Sequence, residues 1–497
     1  MNRFIEELNK KVLVIDGAMG TLLMAEGIGP EECFDAQNIK KPEVVRKVHQ
    51  LYIDAGADII ETNTFGANKI KLSEYGLGDK VREINIAAAK IAREAAGTKF
   101  VAGSIGPLGK LIDPLGEVTF DQAYSTFAEQ AKALEEGGVD VLCIETISDL
   151  QEMRAAVIAA KNETKLPVIA SMTFDEGEKT IYGTTPEVAA VVLQAIGADI
   201  ISSNCSNGPD GLLKVAKRLS AVSKIPIMMM PNAGLPELVD NKAVYKMTPA
   251  RFASFVPKFI ALGVRIIGGC CGTNPAHIKA VKSEIRNPKF EANAKSEIQN
   301  SKFASRTRVV EVIEGVPLLV GERINPTGRK LFQEEIKAGK TQIIRKEAVD
   351  QTKEGADLLD VNISAPEVAE TAAMHSAIRV VQSSSEQPIC IDSPSYAAME
   401  AGLKAFSGKA LLNSVNGKRE SMEKVIPLAK KYGAGIIALA LDEKGIPQTA
   451  DDRVRIAERI VNYAKQSGIA PEDIYVDNLV MTAGVGIQGS LETLKAI

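Results

Sequence analysis

The sequence predicts a parallel α/β architecture: two (β/α)8 TIM-type barrels in tandem, the second incomplete at its C-terminal end. Three observations predict it. Short Val/Ile-rich runs alternate with helix-period stretches along most of the chain, one polar aperiodic segment interrupts that alternation, and polar or thiol residues recur at the C-terminal ends of the apolar runs. At 497 residues the chain is also too long for one ordinary domain.

In the first region, 1–281, apolar runs fall at 12–16, 58–64, 100–105, 139–146, 168–174, 199–205, 227–231 and 264–269. Each is continuously apolar rather than alternating, as expected of parallel strands buried on both faces. Helix-period stretches such as 42–55, 81–96, 150–161 and 186–195 lie between them. Eight such units suit a closed barrel; a doubly wound open sheet would call for a glycine-rich nucleotide loop after the first strand, and none is present. Residues 282–308 have the composition of a linker. The alternation resumes in 309–497, with strands expected at 318–323, 358–362, 389–392, 410–413, 436–441 and 474–480. Six units are expected there, two short of a closed barrel, so the chain reads as part of a longer polypeptide.

Composition narrows the function. The 59 basic and 63 acidic residues leave a net charge of -4, which speaks against nucleic acid as the main partner. No apolar run approaches the ~20 residues that span a bilayer, and residues 1–11 are charged throughout, so no membrane association is expected and the chain reads as cytoplasmic. Six cysteines in a chain this long are no disulfide scaffold. Cys33, Cys143 and Cys390 sit singly and are expected to be buried packing residues.

The other three cysteines fall at strand ends. Cys205 closes the sixth run in SSNCSNG, and Cys270 with Cys271 closes the eighth in IIGGCCGT. Adjacent residues of a regular strand point to opposite faces, so both members of the pair reach one ion only if the backbone turns there. Gly268, Gly269 and Gly272 are expected to give it that freedom. Three thiolates with one open position match a catalytic zinc site, and soft sulfur donors favour zinc over magnesium or calcium. A strained pair of buried cysteines beside an unrelated third is the alternative. An incoming thiol that fills the open position loses its proton and becomes a nucleophile at neutral pH, which suggests alkyl transfer to sulfur. Asn232 in MPNAG is a candidate for the fourth position when substrate is absent, or else a turn residue. Asp16 and Glu145, at the ends of the first and fourth runs beside Glu61 and Asn63, offer carboxylates to a substrate ammonium or cap the helices that follow. His277 is expected at a helix N-terminus rather than on the metal, and His49 and His375 within helices.

DGAMGT at 16–21, ADIIETNTFGA at 57–67, GSIGP at 103–107, IET at 144–146, NCSNGP at 204–209, PNAGLP at 231–236 and GGCCGTNPAHI at 268–278 together resemble the homocysteine S-methyltransferase domain. The resemblance covers the first barrel and implies zinc on Cys205, Cys270 and Cys271, with the homocysteine amino group met by Asp16 and Glu145. In the second region GERINPTG at 321–328, LLDVN at 358–362, CIDS at 390–393, LLNSVNG at 411–417, ALDEKGIP at 440–447 and IYVDNL at 474–479 resemble the pterin-binding domain of the cobalamin-dependent methionine synthases. By that resemblance Asp392, Asn413 and Asp477 bind the pterin, with Glu322, Asp360 and Asn362 close by. The two resemblances imply 5-methyltetrahydrofolate as methyl donor and methionine as product. They also imply methylcobalamin as carrier, held on a domain or protein outside this chain, since no Asp-x-His-x-x-Gly motif is present. Two alternatives stay open: a homocysteine methyltransferase using a sulfonium or betaine-like donor, and a non-catalytic fragment that presents substrates to a separate corrinoid protein.

Overall fold

The computed structural model describes residues 2–239, 242–285, 300–480 and 487–497, and the chain divides into two compact units, Met1–Ser296 and Glu297–Ile497. Among the described residues no helix is long and apolar enough to cross a membrane.

The first unit is a parallel barrel. Its strands are β1 (Leu13–Val14), β2 (Ile59–Glu61), β3 (Phe100–Ile105), β4 (Val141–Ile147), β5 (Val168–Met172), β6 (Ile200–Asn204) and β7 (Ile227–Met230). A small antiparallel hairpin, β8 (Glu237–Val239) with β9 (Lys242–Val244), precedes the last barrel strand, β10 (Val264–Ile267). The eight parallel strands run β1-β10-β7-β6-β5-β4-β3-β2, and a parallel bridge between Ile15 and Ile59 closes the ring. Closure leaves no sheet edge. Each expected apolar run of this region overlaps one of these strands, β4 running one residue past its expected end. The expected helix at 186–195 is Pro186–Ala195 and that at 81–96 is Val81–Ala96.

Inward-pointing residues from successive strands, among them Ile59, Ala102, Cys143, Ile169, Ile200, Met228 and Ile266, make one buried cluster. Its floor comes from a helix, Arg3–Leu8, whose Phe4 and Leu8 are fully buried and plug the barrel. Phe4 meets Phe100 edge-on at 5.3 Å between ring centroids. Burying one such side chain contributes about 1.5–3 kcal/mol. Cys33, Cys143 and Cys390 are buried, as expected.

In the second unit six parallel strands stand in chain order: β13 (Val320–Ile324), β14 (Leu358–Asn362), β15 (Ile389–Asp392), β16 (Leu411–Asn416), β17 (Gly435–Leu439) and β18 (Ile474–Asp477). Ahead of them a hairpin, β11 (Lys302–Ala304) with β12 (Val309–Glu311), corrects the expected linker of 282–308. Its first residues also belong elsewhere, to the helix Pro275–Glu284. The hairpin is ordered because Phe303 is fully buried against Leu358, Cys390 and Leu411. Ser301 (2.6 Å) and Lys409 (2.7 Å) both bond Asp473, fixing the hairpin beneath the sheet. Three-residue strands are too short for periodicity to reveal.

Among the described residues β13 and β18 each have one strand neighbour. Leu319 beside β13 is 56% exposed and Val476 in β18 43%, whereas every residue of β3 and β5 is buried. Amide exchange in Val320–Ile324 and Ile474–Asp477 is therefore expected to outpace that in Ile389–Asp392 by roughly tenfold or more. Equal protection across the three would contradict the open-edge description. Phe303→Ala should cost the second unit about 3–5 kcal/mol, measured by denaturant unfolding.

Candidate functional site

The three strand-end cysteines converge. Their sulfurs lie within 4.8 Å of one another, with 3.9 Å between Cys205 and Cys271. Backbone hydrogen bonds among three loops hold them there: Cys205 N donates to Met230 O (3.3 Å), Cys270 N to Pro231 O (2.8 Å), Ala233 N to Cys271 O (2.9 Å) and Asn232 N to Asn207 O (3.0 Å). Cys205 and Ser206 both adopt the left-handed conformation, φ +61° and +57°. For residues with a Cβ that costs roughly 1–2 kcal/mol each, strain of the kind that gathers at functional sites. The expected glycine turn is corrected in detail. Only Gly272 takes a positive φ (+77°), while Gly268 is required by space, since a Cβ there would sit 2.3 Å from Ile15 Cγ2.

The donor chemistry suits a soft divalent ion. Hydrogen bonds from the Cys270 and Cys271 thiols pull Cys205 down to about 3, and donating to that sulfur pushes Cys271 up to about 11 and Cys270 upward as well. The crowding favours ionisation of Cys205 over its two neighbours. A cation is what allows all three sulfurs to ionise together.

Beside the cluster lies a cavity of about 520 Å³ walled by Asp16, Glu61 and Glu145 and reaching Cys205, Cys270 and Cys271. Asp16 Oδ2 accepts from Glu61 N (3.0 Å), and Glu145 accepts from Ser104 Oγ (2.6 Å) and Asn204 Nδ2 (3.2 Å). Asp16 Oδ1, Glu61 Oε1 and Asn232 Oδ1 are buried without a partner. Burial drives Asp16 and Glu61 well above the carboxylate range and brings Glu145 to about 7. Three buried acids on one wall call for a cationic ligand, because desolvated like charges cannot all ionise unpaired. Asn232, on the neighbouring loop, adds to the lowering of Cys205 after the two thiols.

Asn204 is a residue that sequence reasoning missed. Its amide bonds Glu145, Thr146 N (2.9 Å) and Ser171 Oγ (2.8 Å) and approaches Cys270 Sγ at 3.8 Å, linking acid wall and thiols. Its place directly before Cys205 was the available signal. His277 caps the helix Pro275–Glu284 through Asn274, and its Nε2 donates to Met247 O (2.9 Å), away from the sulfurs. His49 is buried within Pro42–Asp54, where desolvation lowers it to about 4. A larger cavity, about 770 Å³, opens near Asp175, Lys214 and Arg251; no cysteine is among its lining residues. Size alone does not mark the reactive site.

In the second unit the strand register sets Asn362, Asp392 and Asn413 side by side on β14, β15 and β16. Asn362 Nδ2 donates to Asp392 Oδ2 (2.8 Å) and Asn413 Nδ2 to Asp360 Oδ1 (3.4 Å). Burial raises both aspartates, and the nearby Glu322 adds to it. Asp477 stands apart from this group. It is exposed at the end of the edge strand β18, and its carboxylate accepts from Leu479 N (2.7 Å), the local turn such side chains favour. Glu370 was missed: it accepts from Ser364 Oγ (2.6 Å) and Ser393 Oγ, tying together the loops that follow Asn362 and Asp392.

Comparison with known proteins gives two family matches, "Homocysteine S-methyltransferase" over residues 13–285 and "Pterin binding enzyme" over 321–497. The methionine synthase of Mycobacterium tuberculosis is 33% identical over 522 residues, covering 99% of this chain and 44% of that protein. That of Mycobacterium leprae is 32% identical over 537 residues, with the same coverage. The chain thus spans less than half the length of these relatives. Among solved structures, the metallated homocysteine methyltransferase MmuM of Escherichia coli is 25% identical with a TM-score of 0.49, covering 56% of this chain and 98% of that one.

Desolvation first, and Asp392 next, bring Asp360 up to about 7. A folded-state pKa raised above the unfolded value of roughly 3.9 means that the fold holds a proton the unfolded chain releases. This contribution to stability is complete below pH ~4 and is lost as pH rises through about 7. Denaturant unfolding of the second unit is expected to show that loss, and Asp360→Asn to flatten it; an unchanged pH profile in the variant would contradict the assignment.

Proposed function

Because the chain belongs to the homocysteine S-methyltransferase family, we propose that its first unit binds zinc through Cys205, Cys270 and Cys271 and transfers a methyl group to the sulfur of homocysteine, giving methionine. The observation that carries this reading is the meeting of three sulfurs and three buried carboxyls around one cavity. Zinc, when bound, supplies the Lewis acidity that lets a substrate thiol lose its proton near neutral pH. Asp16 and Glu145 bind the substrate ammonium, whose charge favours their ionised forms. Glu61, between them in charge balance, keeps the wall anionic once that cation arrives. Asn232, on the adjoining loop, is the candidate for the fourth position on the metal until the substrate sulfur takes it. That sulfur forms the new C–S bond, and the electron pair of the broken bond to carbon stays with the methyl carrier.

The second unit is proposed to bind 5-methyltetrahydrofolate as methyl source. Asp392, Asn413, Asp360, Asn362 and Glu322 offer donors and acceptors to the pterin edge, and Asp477 sits at the same end of the sheet. Methylcobalamin on a further domain or protein is the proposed carrier between the two substrates, a reading supported by the pterin-binding unit that accompanies the methyltransferase unit. A cytoplasmic location and no nucleic-acid partner complete the proposal.

Metal analysis is expected to find one zinc per chain, with large loss when Cys205, Cys270 or Cys271 is changed to Ser, because a hydroxyl is a harder and far less acidic donor. Retention of zinc in two of the three variants would overturn the assignment. Glu145→Gln should keep the metal while weakening homocysteine binding by about 1.5–3 kcal/mol, roughly ten- to hundredfold. Loss of metal there would mean that Glu145 serves the fold instead.

A further inference from the structure

One side chain of the first unit bonds both halves of the thiol site. Asn204, fully buried at the end of β6, accepts through its carbonyl oxygen from Thr146 N (2.9 Å) on β4 and Ser171 Oγ (2.8 Å) on β5. A backbone N–H can only donate, so the carbonyl has to face Thr146 and the amide nitrogen has to face away from it. That nitrogen donates to Glu145 Oε2 (3.2 Å), to Thr146 Oγ1 (2.7 Å) and to Cys270 Sγ (3.8 Å). Ser104 Oγ holds the other oxygen of Glu145 (2.6 Å), so each of its oxygens has a fixed donor. Thr146 and Cys205, which follow Glu145 and Asn204 in the chain, both take the left-handed conformation (φ +61° in each) although each carries a Cβ. The backbone on either side of this amide is thus held in a shape it would not adopt unaided.

We infer that Asn204 is a positioning residue that works as a ruler, holding Glu145 and the Cys270 sulfur at one separation and so matching the site to the spacing of ammonium and thiol in homocysteine. This deepens the function proposed above and rests on it: Glu145 takes the ammonium, and the metal on the cysteine sulfurs takes the thiol. An aspartate in place of Asn204 would accept on both sides and leave Glu145 and the sulfur without a donor. A buried amide bonded at both ends does not stretch, so cysteine, one methylene shorter, cannot satisfy both points at once. One methylene is otherwise worth only roughly ten- to two-hundredfold in an apolar pocket, and a fixed distance between the two polar anchors adds to it.

The test compares wild type with Asn204→Ala and Asn204→Asp in the full chain loaded with zinc, titrated calorimetrically with homocysteine and with cysteine, with zinc counted in each variant. Asn204→Asp keeps an oxygen for Thr146 N and Ser171 Oγ and removes the donor, so it tests the ruler even where Asn204→Ala does not fold. Its added charge meets the ammonium of both ligands alike and cancels in their ratio. Zinc should stay at the wild-type level. The preference for homocysteine over cysteine should fall roughly two- to tenfold, the range of one lost hydrogen bond. A preference equal to wild type overturns the inference, including the case in which both ligands weaken together, which would assign Asn204 to packing alone. Loss of zinc from Asn204→Asp overturns it as well, since Asn204 would then serve the sulfurs and not the spacing. A wild type that holds zinc and binds neither thiol would remove the function proposed for the first unit, and the inference with it.

Discussion

Asp16 closes the first barrel and lines its cavity at once. Its N–H donates to Ile59 O (3.1 Å) across the seam between β1 and β2, and its carbonyl accepts from Gly269 N (3.0 Å), the residue before the cysteine pair. Its side chain, buried at the same point, leaves one oxygen unpartnered toward the cavity. The bonds that complete the sheet are therefore the bonds that set the distance between acid wall and thiols. A barrel left open at this seam would lose the registration of Cys270 and Cys271 against Asp16, whatever the local sequence of either loop.

The site is built against the stability of the fold. Three buried acids and three crowded thiols are costly groups to desolvate, and Cys205 and Ser206 add backbone strain. Both costs have the same remedy in the proposed chemistry. A cation among the sulfurs lets them ionise, and an ammonium against the carboxyls pairs their charge. Substrate and metal are expected to stabilise the first unit by mass action, since each relieves a penalty the empty cavity carries. The apolar cluster beneath, from Phe4 up to Met230, provides the rigidity that keeps these groups from relaxing apart.

Much of this was legible in the sequence because both signals are local. Continuous Val/Ile runs mark doubly buried strands, and the cysteines were assigned to one rim by the strand ends they occupy. What escaped the sequence depends on contacts far apart in the chain. The plug Arg3–Leu8 is short, with three of its six residues charged, and β11 is recognisable only through what Phe303 packs against. Asn204 and Glu370 acquire their roles in part from partners 66 and 23 residues away. Gly268 was expected to supply a turn and instead supplies room, a distinction visible only once Ile15 is beside it. Asp477 shares a strand-end position with Asp392 but lies on an edge strand, where its side chain bonds its own turn.

The central claim is that three cysteine sulfurs hold zinc and leave one position for the sulfur of homocysteine. X-ray absorption at the zinc edge of the metal-loaded chain measures this directly. The account predicts three sulfur neighbours with one lighter ligand, changing to four sulfurs when homocysteine is added. A zinc bound mainly by nitrogen or oxygen, or a sulfur count unmoved by homocysteine, would contradict it.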